Sequence, residues 1–193
     1  ASQGAGLRLL TETVTSPSLH AQIRALLKAF PSARWHQFEP LARDEVYAGA
    51  RLAFGRIVET QHDFARARVV LSLSSDFLFS HPASLRYARH FMDRRRGSVG
   101  QAEMNRLYVV ESTPSVTGSN ADHRLALPAQ AIEAFARAVA KELGIPPHTE
   151  PNVAPSVDPG WVAAVAGDLE QNRGASIVIV GEEQPAALHA LVH

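Results

Sequence analysis

The chain has 193 residues, 46% of them hydrophobic, which is enough material for one substantial core. Lysine plus arginine and aspartate plus glutamate number 19 each, so no net field draws nucleic acid or an anionic membrane surface, and nucleic acid is not an expected partner. The absence of cysteine excludes disulfides, thiolate nucleophiles and cysteine-ligated iron–sulfur clusters within these residues, and no run reaches the roughly 18 apolar residues of a membrane span.

In chain order, residues 7–10 predict a short first strand, and Ser16-Pro17 opens a helix whose Leu19, Ile23, Leu26 and Leu27 recur at helical spacing. Residues 35–38 predict a second strand, closed by Glu39-Pro40. Asp44 is then placed to cap a helix carrying Val46, Ala50 and Ala53, with Gly55 as its stop. Residues 69–73, VVLSL, form a continuous run bounded by polar residues and predict a central strand. Pro82 starts the next helix, whose last turn is expected to hold Arg94, Arg95 and Arg96 where the helix dipole favours cations. On the same helix Tyr87 and Phe91, four apart, are core residues. After a loop at 98–105, residues 107–110 predict a fourth strand, 125–127 a short fifth, and 129–143 an amphipathic helix ended by Gly144.

The proline-rich segment 146–159 reads as a linker. Beyond it come a helix at about 160–172 closed by Gly174, a strong strand at 176–180, and a helix opened by Pro185 whose apolar pattern stops at the last residue. Strands alternating with helices predict an α/β fold, a Rossmann-like parallel sheet with helices on both faces and right-handed crossovers. The expected division is a Rossmann-like domain at 1–145, the linker at 146–159, and the truncated start of a second α/β subdomain at 160–193, which holds the last strand. Both ends read as cuts in a longer polypeptide, so localisation signals and metal-binding segments are expected outside these residues.

The chemistry concentrates in residues 106–127, RLYVVESTPSVTGSNADHRLAL. An apolar run stops at Glu111, the turn residues Ser112, Thr113 and Pro114 follow, and small polar residues lead to Ala121-Asp122-His123. Open α/β sheets hold ligands at the carboxyl ends of their strands. In molybdopterin-dependent oxidoreductases of the formate dehydrogenase and dimethyl sulfoxide reductase type, a strand is followed by Asp-Pro-Arg-x-Thr-x-Thr, then Ala-Asp and an apolar strand. Glu111, Ser115, Thr117, Ala121 and Asp122 fall at the matching places. Through TETVTSPS (11–18), WHQFEP (35–40), ARLAFG (50–55), VVLSLSSDFL (69–78) and IVIVGEEQP (177–185), nearly the whole chain resembles one branch more closely. That branch is the molybdopterin-oxidoreductase-like iron–sulfur subunit of the bacterial quinol-oxidising complex called alternative complex III.

The resemblance implies a fragment of the molybdopterin-oxidoreductase catalytic-subunit fold, in a branch that kept the scaffold and lost the molybdenum cofactor. It implies a structural domain without its own cofactor, with iron–sulfur clusters elsewhere in the parent protein. Its partners would be the quinol-binding membrane subunit and the cytochrome c subunits of a respiratory complex on the periplasmic side of the bacterial inner membrane. The departures agree: Ser112-Thr113 replace Pro-Arg, and Ser74-Ser75-Asp76 stand where cofactor-binding relatives tend to have Gly-x-Asn. A pyrophosphate would meet acids and lose an arginine fork. The relic crevice is accordingly Ser74, Ser75, Asp76, Glu111, Ser112, Thr113, Ser115, Thr117 and Asp122, with no catalytic residue assigned.

Two alternatives remain open at this level. One is an active domain holding half of a molybdopterin guanine dinucleotide, with Glu111 accepting from guanine; the other is a nucleotide-binding regulatory module, whose usual glycine-rich turn after the first strand is missing. The strand-end loops 11–16, 74–76, 111–113 and 181–183 are ordinary turn chemistry in any doubly wound sheet, apart from the resemblance. Asp122-His123 and His62-Asp63 are neighbours whose side chains point apart on a strand or turn, so neither makes a dyad. The nine histidines are scattered without the close spacing of a zinc or haem site, and Arg94 to Arg96 read as a solvated helix end.

Overall fold

Residues 3–39, 42–96, 104–145 and 157–193 are described by a computed structural model, in two units that part between Ala42 and Arg43. In the first unit, β1 (Arg8–Thr11), α1 (Pro17–Ala29) and β2 (Arg34–Gln37) make one strand–helix–strand turn with parallel strands, Leu9 opposite Trp35. Ser16 caps α1 by accepting from the Leu19 N–H at 3.3 Å, and Pro17 occupies the first turn, where its missing N–H costs nothing. The Trp35 indole donates to Thr11 Oγ1 at 3.0 Å and fixes the pairing from the side-chain side.

The second unit is a parallel sheet of β3 (Val69–Leu73), β4 (Arg106–Glu111), β5 (His123–Ala126) and β6 (Ser176–Val180), in spatial order β5-β4-β3-β6. Around it run α2 (Asp44–Phe54), α3 (Ser84–Asp93), α4 (Val116–Ser119), α5 (Ala129–Glu142), α6 (Pro159–Gln171) and α7 (Ala186–Val192). Because side chains alternate along a strand, the sheet has two apolar faces. Val70, Leu107, Val109 and Ile179 meet Phe64, Phe77, Tyr87 and Phe91 on one face, with Phe64 stacked on Phe77 at 4.5 Å. Leu71, Leu73, Tyr108, Val110 and Val180 meet Ile132, Phe135 and Val139 of α5, Val165 of α6 and Leu188 of α7 on the other. Each fully buried side chain of this size contributes about 1.5–3 kcal/mol. The fold is α/β and Rossmann-like, with helices on both faces of this sheet, as the alternation of elements predicts.

The differences from expectation are local. Arg43, not Asp44, takes the cap position of α2, and Asp44 lies in the first turn with Glu45, where both acids suit the dipole. Helix α3 starts at Ser84 instead of Pro82, because His81 first makes a turn of its own, its Nδ1 accepting from Ala83 N at 3.0 Å and its carbonyl from Ser84 N at 2.8 Å. The helix stops at Asp93, so the three arginines lie at or past its end, where Arg95 binds Asn105 and Asp122. The strand at 176–180, expected in a second subdomain, pairs with β3 inside this sheet. Most of the expected linker, 146–156, and most of the expected loop at 98–105 lie outside the described residues. Among the described residues no helix is long and apolar enough to cross a membrane.

Candidate functional site

The strand order reverses direction at β3 and β6, and a ligand crevice is expected outside their carboxyl ends. Here the chain itself occupies that place. Ser72 Oγ accepts from Ser75 N at 3.2 Å and donates to Ser75 O at 2.7 Å, a tight turn that leaves Ser74 at φ +59°. Gly181 N donates to Leu73 O at 2.8 Å, and a Cβ at Gly181 would collide with the Ser74 carbonyl. The two loops therefore meet backbone to backbone across the switch point, and only glycine permits the approach.

The acids beside this turn are bound by their own chain. Glu111 is buried; its Oε2 accepts from Ser115 Oγ at 2.7 Å, and its Oε1 from Arg124 Nε at 2.6 Å and Ser115 N at 3.3 Å. Ser115 Oγ in turn accepts from Gly118 N at 2.9 Å, which caps the single turn of α4. Gly118 lies flat against the carboxylate, for a Cβ there would stand 2.6 Å from Glu111 Cδ. Asp76 Oδ1 accepts from both Thr117 N at 2.8 Å and Thr117 Oγ1 at 2.7 Å, while Thr117 Oγ1 accepts from Leu78 N at 3.1 Å. The motif positions thus form one continuous network, from Leu78 through Thr117 to Asp76 and, along α4, through Ser115 to Glu111 and Arg124.

Of the residues singled out from sequence, the structure brings Ser74, Ser75, Asp76, Glu111, Ser115 and Thr117 to this carboxyl edge, with Ser112 and Thr113 exposed in the turn after β4. Asp122 is elsewhere. A parallel strand must be entered from its amino end, so the residue before β5 returns to the opposite edge of the sheet, where Asp122 Oδ2 accepts from Leu107 N at 2.7 Å and pairs with Arg95. His123 stacks on Tyr108 at 4.8 Å, and Asp63 accepts from Ala65 N at 3.2 Å, so neither Asp-His neighbour pair forms a dyad.

These residues do not fit a molybdopterin guanine dinucleotide. Guanine would need a free carboxylate, but Glu111 already holds Ser115 and Arg124, and the pyrophosphate would face the Ser74 and Gly181 backbones in contact. Arg124, the guanidinium beside Glu111, is spent on that carboxylate.

A second region has no signature in the sequence. A cavity of about 270 Å³ runs along β6, walled by Arg43 at the cap of α2 and Val46 within it, by Thr60, His62 and His81, and by His189, Val192 and His193 at the C-terminal end. Burial, with the neighbouring charges of His81 and His193, lowers His62 to about 4. Burial also lowers His81, helped by Arg43, and His189, helped by His193. Arg43 is raised although burial opposes it, because Glu59 at 2.7 Å and Glu182 at 2.7 Å outweigh that penalty. Helix α2 reaches α7 closely at Gly49, where a Cβ would lie 2.9 Å from Ala186 O, and Glu45 accepts from Ala186 N at 2.7 Å to cap α7 from outside. Among the described residues no three histidines or acids stand in metal-holding geometry.

No protein-family model matches the chain, and no curated protein matches it.

Proposed function

We propose that this chain is a structural domain of a quinol-oxidising respiratory complex, a scaffold that carries no cofactor of its own. The reading rests on the resemblance in residues 106–127 and along the rest of the chain. Its main support is the closed state of the crevice: Glu111 and Asp76, the two acids that would face a bound nucleotide, are each held by side chains and amides of the same network. A ligand binding there would have to displace those bonds, at about 1–3 kcal/mol for each buried polar group left unpaired.

In this role the domain provides contact surface to a quinol-binding membrane subunit and cytochrome c subunits on the periplasmic side, and cysteine-bearing segments elsewhere in the parent hold the iron–sulfur clusters. Exposed Leu52 and Phe54 on α2, with Phe79 and Leu85 around the start of α3, are apolar surface available for such contacts. The test is metal and pterin analysis of the parent protein purified with its complex. Iron without molybdenum, tungsten or oxidised-pterin fluorescence supports the scaffold; a stoichiometric pterin metal overturns it.

A further inference from the structure

The two edges of the four-stranded sheet are built differently. At one, β5 reads HRLA and presents His123 and Arg124, the kind of charged residue that keeps an edge from pairing with foreign chains. At the other, β6 reads SIVIV, without charge or proline, the sequence of a strand that normally has neighbours on both sides.

The backbone of β6 confirms an open side. Ala175 O accepts from Arg68 N and Val69 N, and Gly181 N donates to Leu73 O, so by the alternation of a parallel ladder residues 175, 177, 179 and 181 turn to β3. The N–H and C=O groups of Ser176, Val178 and Val180 then turn outward, and among the described residues they have no backbone partner. This side is the floor of the histidine-walled cavity, and a second cavity of about 220 Å³ continues it past Ser176 and Ile177. One wall holds an orphan: His189 is 6% exposed and its Nε2 has no hydrogen-bond partner.

The occupant's chemistry follows from what lines the groove. Arg43 is already paired with Glu59 and Glu182, and burial disfavours the charged form of His62, His81, His189 and His193, so the lining favours an uncharged occupant. Arg43 Nε and Glu182 Oε1, which also lack a hydrogen bond, answer each other as an ion pair at 2.7 Å; what is left open among the described residues is a row of alternating donors and acceptors about 13 Å long, from the rise of an extended strand, together with His189 Nε2. We propose that the β6 edge is a strand-docking site that takes an extended peptide of a partner polypeptide, paired to Ser176, Val178 and Val180, with a hydroxyl-bearing side chain donating to His189 Nε2. A second copy of this chain is disfavoured because the edge is recessed between α2 and the His62–His81 wall, and two recessed edges cannot meet. The proposal is independent of the respiratory reading.

The test uses the 193-residue protein and an acetylated, amidated five-residue peptide of alternating threonine and valine. Saturable binding that slows amide exchange at Ser176, Val178 and Val180 by at least about tenfold is expected, with loss of about tenfold in affinity for Val178→Pro, whose outward N–H the fold does not use. The same peptide with every backbone nitrogen methylated, which has no N–H to donate from either edge, is the control that needs no variant. Unprotected amides at millimolar peptide overturn the proposal, as does equal binding of the methylated peptide. A concentration-dependent dimer that Val178→Pro abolishes overturns it in favour of a second copy.

Discussion

The crevice at the carboxyl ends of β3, β4 and β6 and the groove along β6 hold comparable polar inventories, yet one is closed and the other open. In the crevice each acid meets donors from its own chain, Glu111 from Ser115 and Arg124, Asp76 from Thr117. In the groove an imidazole nitrogen of His189 and the outward backbone of an edge strand have none among the described residues. A fold's customary ligand position is therefore a poor guide to where its unspent hydrogen bonds lie. The accounting of partners is the better one.

The comparison breaks most severely at Gly118. Gly118→Ala pushes a Cβ into the Glu111 carboxylate, forces that side chain off Arg124 and costs about 4 kcal/mol, read as a lower urea midpoint. On the groove side the corresponding lever is pH. The folded protein keeps His62 neutral down to about 4 whereas the unfolded chain takes up a proton near 6.5. The unfolded state binds more protons between those values, so this contribution is fully present above about pH 6.5 and is lost as pH falls toward 4. Roughly 2–3 kcal/mol is expected from the single group. Denaturation midpoints across that range check it, and His62→Gln should flatten the slope.

Smaller effects sharpen the contrast. Thr117→Val removes the hydroxyl that joins Asp76 to the Leu78 amide and costs about 1–2 kcal/mol in thermal unfolding, leaving the Thr117 N–H bond to Asp76 in place. Ser74→Gly relieves a left-handed residue in the closed crevice and raises stability by up to about 1 kcal/mol, because nothing in the turn uses a side chain at 74. A loss at Ser74→Gly would mean that its side chain has a role the network omits.

How much of this was legible in the sequence depended on distance along the chain. Val69 to Leu73 and Ser176 to Val180 were readable to the residue, since continuous β-branched runs between polar flanks admit little else. The turn of α4 was missed because four residues have no periodicity, and only Ser115 three before Gly118 marked its cap. That Glu111 would be answered by Arg124 required β5 to return in parallel beside β4, a tertiary fact, and the same return sends Asp122 to the far edge. His189 and His193 stand four apart, but His62 and His81 share no spacing with them or with each other; the four meet because the segment before β3, the turn before α3 and the chain after β6 converge on one edge.

The most direct measurement of the closed crevice is titration of the protein with guanosine diphosphate, followed at the Ser115 and Thr117 amides by NMR. The account predicts no saturable shift at either amide, with both protected from exchange before and after addition. Saturable binding at those amides that Glu111→Gln abolishes would contradict it, and would make the carboxyl edge of the sheet a working nucleotide site.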